Sequence, residues 1–160
     1  MGALTLAKTG GATAAVAAIG SLASRPAVES KWYESLKKPS FQPPTVAFPI
    51  VWPLLYADIA AVSAAAIDEL ETRGDRRETR RFSALLALNL ILNGSWSWVF
   101  FNRRRLGPAV VLAGALAVSS ADLTRRAVRV KGAPARALWP YPAWCAFATA
   151  LSGRIWWLNR

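Results

Sequence analysis

The chain has 160 residues and carries 20 Lys and Arg against 9 Asp and Glu, a formal charge of +11. Hydrophobic residues make up 54% and charged residues only 18%, which excludes a disordered chain and fits one domain over residues 1–160. There is no histidine and one cysteine, Cys145, so an intrachain disulfide, a His-based metal site and a Ser–His–Asp triad are all excluded.

The charge is segregated rather than interleaved. Residues 9–24, 82–102, 106–121 and 137–153 carry none, and residues 39–67 carry only Asp58. A nucleic-acid surface would spread its cations along one face of a folded domain, so DNA and RNA are not expected partners. Uncharged runs of this length predict membrane-spanning helices instead, and five are expected. The first, about 4–24, is mostly Ala, Gly, Ser and Thr; the alternative for it is a signal peptide with Lys8 as its basic start. A long connection over 25–43 follows, with Pro26, Pro39 and Pro43. The second span is about 44–67, and Pro53 inside it predicts a kink. Residues 68–81 form a charged turn around Gly74. The third span, about 82–102, is the clearest, with 20 uncharged residues from Phe82 to Phe101. A tight hairpin over Asn102–Pro108 leads into the fourth span, about 106–124. After Gly132 and Pro134 comes the fifth, about 137–158. The last three lack the polar stripe of a water-facing helix, which argues against a soluble bundle. No internal repeat is visible. Lys and Arg divide eleven against nine between the two sides, too evenly to set an orientation.

Eight tryptophans need an explanation. Membrane interfaces account for Trp32, Tyr33, Trp139, Trp156 and Trp157, which fall near span ends. Trp52, Trp96 and Trp144 lie deeper. Phe48, Trp52 and Tyr56 share one helix face. So do Asn89, Asn93, Trp96 and Phe100, with Ser97 at the edge, and so do Tyr141, Trp144, Ala148 and Leu151. An amide facing hydrocarbon would be costly, so these stripes point inward. Spacing alone leaves two readings open: a helix–helix seam glued by Asn, or a pocket.

The residues Trp32-Tyr33-Glu34-Ser35-Leu36-Lys37-Lys38-Pro39, then Pro43-Pro44 and Val51-Trp52-Pro53-Leu54-Leu55-Tyr56, resemble the signature of the tryptophan-rich sensory protein family, TspO/MBR. The stretches Leu88–Ser97 and Pro140–Leu151, with Ile155-Trp156 and Leu158-Asn159, are similar to it as well, so the likeness spans about 32–159. The resemblance implies an all-α membrane protein, a bundle of five transmembrane helices with the long first loop covering a pocket, often as a homodimer. It implies binding of porphyrins, including haem, and other tetrapyrroles, in a receptor, transporter or sensor role. The ligand-binding residues implied are Tyr33, Pro43, Trp52, Tyr56, Asn93, Trp96, Ser97, Trp144 and Ala148. The membrane implied is the cell membrane in a bacterium and the mitochondrial outer membrane in an animal. Animal members carry a sterol motif of the pattern L-x-Y-x-R. Here the run is Leu151-Ser152-Gly153-Arg154, and Gly153 stands in place of the Tyr.

The residues themselves limit the chemistry. Without His or an internal Met, and with Cys145 read as a small packing residue, a haem iron has no evident axial ligand. Recognition by stacking against Trp52 and Trp144 is expected, with Asn93 and Ser97 at a polar edge and Lys37, Lys38 or Arg103 meeting carboxylates at the rim. No cofactor is required and no metal site is expected. The alternatives are a light- and oxygen-dependent porphyrin-degrading enzyme using Trp52 and Trp144, as some family members imply, and a non-catalytic membrane scaffold. Asp58 lies about 600° round the helix from Trp52 and points away from that stripe, which suits a helix contact. Asp122 is placed to pair with Arg125 and Arg126.

Overall fold

Apolar runs this long can satisfy every backbone N–H and C=O away from water by coiling into helices, and the chain does so. The computed structural model describes residues 2–160, and among them there is no β-strand. The helices are α1 (Ala3–Val28), the short α2 (Lys31–Ser35), α3 (Phe48–Thr72), α4 (Arg76–Ser97), α5 (Leu106–Lys131) and α6 (Pro140–Leu158). Four segments are long and apolar enough to cross a membrane: Ala3–Val28, Thr45–Thr72, Arg76–Asn102 and Leu106–Lys131. The fifth expected span, α6, does not reach their mean hydropathy. Its Trp, Tyr and Pro residues count little on a hydropathy scale, and Arg154 lowers it further.

The boundaries follow local chemistry. Ser30 caps α2 by accepting from Tyr33 N at 3.3 Å, so the long first connection contains a helical turn. Pro49 opens α3 in its first turn, where no N–H is missed. Pro53 sits one turn further in, and α3 continues unbroken through it to Thr72. Asp75 caps α4 by accepting from Glu78 N at 3.0 Å. That cap starts α4 at Arg76 rather than 82, because its first turns project as charged helix beyond the apolar run. The hairpin is shorter than expected. Helix α4 widens into a π turn over Trp98–Asn102, and α5 begins at Leu106 with Pro108 in its first turn. Helix α5 runs on past 124 until Gly132, at φ +71°, stops it. Pro140 and Pro142 open α6.

Contacts between chain-distant residues define two ends. At one, the Gly2 N–H donates to Asp68, Arg73 Nη2 donates to the Val130 carbonyl at 2.8 Å, and Lys131 pairs with Glu69 at 3.2 Å. At the other, Asn159 and Lys37 exchange two hydrogen bonds of 2.9 Å, and Trp32 meets Phe100 edge-on at 6.3 Å. Helix α5 packs on α4 and α6, and α1 on α3 and α4. Helix α6 makes no close backbone approach to α1 or α4 among the described residues. A mostly aliphatic core, with Phe82 in it, fills the first end around Ile59, Leu70, Leu123 and Leu138. Large apolar side chains cover the outside, with Leu54, Ile91, Val111 and Val118 each more than 60% exposed. Such a surface suits lipid rather than water.

Candidate functional site

The gap that α6 leaves beside α1 and α4 is a cavity of about 460 Å³ near the second end. Small residues bring its walls together. A Cβ at Gly20 would lie 3.3 Å from Ser97 Oγ, so the glycine gives α1 a tight approach to α4 that a larger residue would meet only if that hydroxyl shifted. Two aromatic groups form much of the lining. On α3 and α6, Trp52 stacks on Tyr56 (5.5 Å between centroids), and Trp144 meets Phe48 at 5.9 Å and Phe147 at 5.5 Å. On the end of α4, Trp96 stacks on Phe100 at 5.5 Å and meets Phe101 edge-on at 5.9 Å, while Phe101 packs on Tyr33 at 6.2 Å. Offset-stacked and edge-on contacts of this kind are the preferred aromatic geometries.

Seven of the nine residues implied by the resemblance line this cavity: Tyr33, Trp52, Tyr56, Trp96, Ser97, Trp144 and Ala148. Pro43 and Asn93 do not. Asn93 is 1% exposed and sits behind the wall, its amide engaged on both sides. Tyr56 Oη donates to Asn93 Oδ1 (2.7 Å), and Asn93 Nδ2 donates to Tyr141 Oη (3.2 Å). Tyr141 Oη donates to Asn89 Oδ1 (2.8 Å), and Asn89 Nδ2 donates to Ser119 Oγ (3.2 Å). This relay ties α3, α4, α5 and α6 together and fixes the Tyr56 ring at the cavity. The two readings of the α4 stripe therefore divide along its length: its first half is seam and its second half is cavity wall.

Tyr33 is buried, and burial pushes its phenol above the ordinary range, opposed by the hydrogen bond that Gln42 Nε2 donates to its oxygen (3.4 Å). Asp122 pairs with Arg126 (2.8 Å) and Arg125 (3.1 Å), as its spacing predicts. Asp58 is half-buried on α3 and belongs to no ion pair among the described residues. Cys145 is buried, as expected of a packing residue. Sequence reasoning missed the contribution of α1, whose Ala17, Gly20, Ser21 and Ser24 line the cavity. The available signal was the recurrence of small residues every three or four positions. It also missed Phe101, Phe147 and Gln42.

The profile of the TspO/MBR family matches residues 10–158. The translocator protein of Ovis aries is 36% identical over 129 residues, covering 79% of this chain and 73% of that protein. The tryptophan-rich protein TspO of Bacillus cereus is 32% identical over 132 residues, covering 82% and 83%. Protein CrtK of Rhodobacter capsulatus is 30% identical over 128 residues, covering 80% and 78%.

Proposed function

Because the chain belongs to the TspO/MBR family, we propose that it is a multi-pass membrane receptor or transporter-like protein that binds a porphyrin or related tetrapyrrole in the cavity between α1, α3, α4 and α6. The observation that carries this reading is the lining itself: aromatic rings from α2, α3, α4 and α6 converge on one hollow of about 460 Å³. That volume falls in the range of about 300–1,000 Å³ usual for small-molecule sites. A flat, apolar macrocycle suits walls of stacked and edge-on rings, and its binding needs no axial ligand from the protein. Metal-free and iron porphyrins then bind alike.

In this reading α6 is a fifth crossing segment. Its 19 residues span about 28 Å at the helical rise, close to the hydrocarbon thickness of about 30 Å. It also packs along α5, which is apolar enough to cross. The connection carrying Tyr33, Gln42 and Thr45 closes the cavity at one membrane face, and the protein works as a homodimer, as the family resemblance implies. Titration of the protein in lipid nanodiscs with protoporphyrin IX tests the binding claim. Saturable quenching of tryptophan fluorescence, weakened in Trp144→Phe, is expected. Quenching that does not saturate, or is the same in that variant, removes the cavity as the binding site.

A further inference from the structure

A second hollow lies along the contact between α1 and α4, an apolar groove of about 550 Å³. Val16 and Ile19 of α1 form one bank, and Leu90, Ile91 and Trp98 of α4 form the other. A Cβ at Gly94 would lie 3.9 Å from Val16 Cγ1 and 4.0 Å from Ile19 Cγ2, which puts this glycine between the banks. The groove shares no lining residue with the aromatic cavity. It faces outward, since Ile19, Ile91 and Trp98 are all exposed.

Its length matches one half of a bilayer. From Ala87 to Trp98, both on its wall, α4 rises about 17 Å. One leaflet contributes half of the hydrocarbon thickness of about 30 Å. Trp98 marks the shallow end, because an indole favours the boundary between hydrocarbon and headgroups. Beyond it come Arg103-Arg104-Arg105. The groove therefore runs from the boundary to the middle of the membrane and stops there, as an acyl chain does.

The π turn supplies a cation at the shallow end. The Arg103 N–H donates to the Trp98 carbonyl at 2.9 Å, a bond between residues five apart. In an α-helix such residues stand about 140° apart round the axis. The wider turn brings Arg103 back toward the side of Trp98. Arg104 is drawn to another partner, its guanidinium 5.2 Å from the Trp32 centroid. Arg103 is exposed and in no ion pair among the described residues. At this end of the molecule the segments 25–38, 103–105 and 154–160 carry nine Lys and Arg against two Glu, and none is paired with another. A guanidinium offers a phosphate two parallel N–H donors. Cations left unanswered at a bilayer surface favour anionic over zwitterionic lipid.

We propose that the α1–α4 groove and Arg103 together seat one anionic phospholipid, with an acyl chain lying from Trp98 down to Ala87 and the phosphate on the Arg103 guanidinium. The site is separate from the tetrapyrrole cavity and stands whether or not that reading holds.

Native mass spectrometry of the intact protein tests this by counting retained lipid, with phosphatidylglycerol and phosphatidylcholine of identical chains. One phosphatidylglycerol per chain is expected, held about fivefold more tightly than phosphatidylcholine, as one cation at a lipid surface warrants. Arg103→Gln brings that ratio near one, and Arg103→Lys, which keeps the charge, retains most of it. Ala87→Phe places a ring in the deep end at an exposed position, where the fold tolerates it, and weakens both lipids severalfold. Arg154→Gln, on α6 at the same end, changes neither lipid. Glycerol phosphate, a headgroup without chains, does not displace the bound lipid. Equal retention of the two lipids by the intact protein, or a ratio unaltered in Arg103→Gln, overturns the proposal. So does retention unaltered in Ala87→Phe, or displacement by glycerol phosphate. A lipid-free dimer that Ala87→Phe converts to monomer gives the groove to a second copy of the chain and overturns it as well.

Discussion

The two ends of this molecule are built from the same helices by different rules. At the end marked by Gly2, Asp68 and Gly132, aliphatic side chains fill the interior and carboxylates answer the cations. At the other, aromatic rings line a cavity, and the cations within reach of a ring are Lys38, Arg104 and Arg160. The change falls within one turn of α4, between Asn93, buried in the relay, and Trp96, on the cavity wall. Amides join helices tightly because each must find a partner in hydrocarbon. The rings pair mostly within their own helices, and Phe48 with Trp144 is the pair that joins α3 to α6 beside the hollow. The lesson is that one continuous stripe serves first as adhesive and then as lining.

The sharpest way to break that contrast is to attack the adhesive. Asn93→Leu strands the buried hydroxyl of Tyr56 and removes one of the two partners of Tyr141, whose own O–H still donates to Asn89. A loss of about 1–3 kcal/mol is expected, the usual cost of an unsatisfied buried group, read as a lower unfolding temperature in detergent. Porphyrin binding weakens only as far as Tyr56 loosens. The lining comes next. Trp144→Phe keeps the fold but removes ring area facing Phe48 and Phe147, and a loss of about tenfold in porphyrin affinity, about 1.4 kcal/mol, is expected. Should this variant lose stability and keep affinity, the roles assigned to the two halves are reversed.

Gly20→Ala probes the contact between them. The added methyl meets Ser97 Oγ at 3.3 Å and forces that hydroxyl aside by a few tenths of an ångström, and a small net loss is expected because Ala gains about 1 kcal/mol of helix propensity over Gly. Pairing it with Ser97→Gly should recover most of the loss in a double-mutant cycle, and absence of recovery removes this contact as the cause. The smallest effect is that of pH on Tyr33. Burial disfavours the anion and raises the folded phenol above the ordinary tyrosine value of about 10. The stabilising contribution is thus complete below pH 10 and declines as pH rises through the folded value. Ultraviolet titration should show Tyr33, one of the three tyrosines, ionising later than a free tyrosine. Stability should stay level from pH 6 to 9.

Much of this was legible in the residues. Charge segregation located the apolar helices, and the periodicity of Phe48, Trp52 and Tyr56 placed one face correctly. The α4 stripe was visible as a unit, but its division was not, because spacing reports a face and not the depth at which a neighbour departs. Helix α1 escaped notice for a physical reason. Its share of the lining is Ala, Gly and Ser, whose value lies in what they leave empty, and a sequence displays side chains more readily than gaps. The helix ends were missed where charged turns continue the coil into water, as Arg76–Arg81 and Arg125–Lys131 do.

The relay through Asn93 and Tyr141 has a consequence for biogenesis. Tyr141 follows Asn93 by 48 residues and Asn89 by 52, with the whole of α5 between them. During synthesis α4 enters the bilayer with two amides whose main partner has not yet been made. Those amides stay hydrated, or borrow a transient neighbour, until α6 arrives. A chain truncated before Pro140 therefore leaves one donor of Asn93 and one acceptor of Asn89 without their Tyr141 partner, while Tyr56 and Ser119 still serve the other side of each amide.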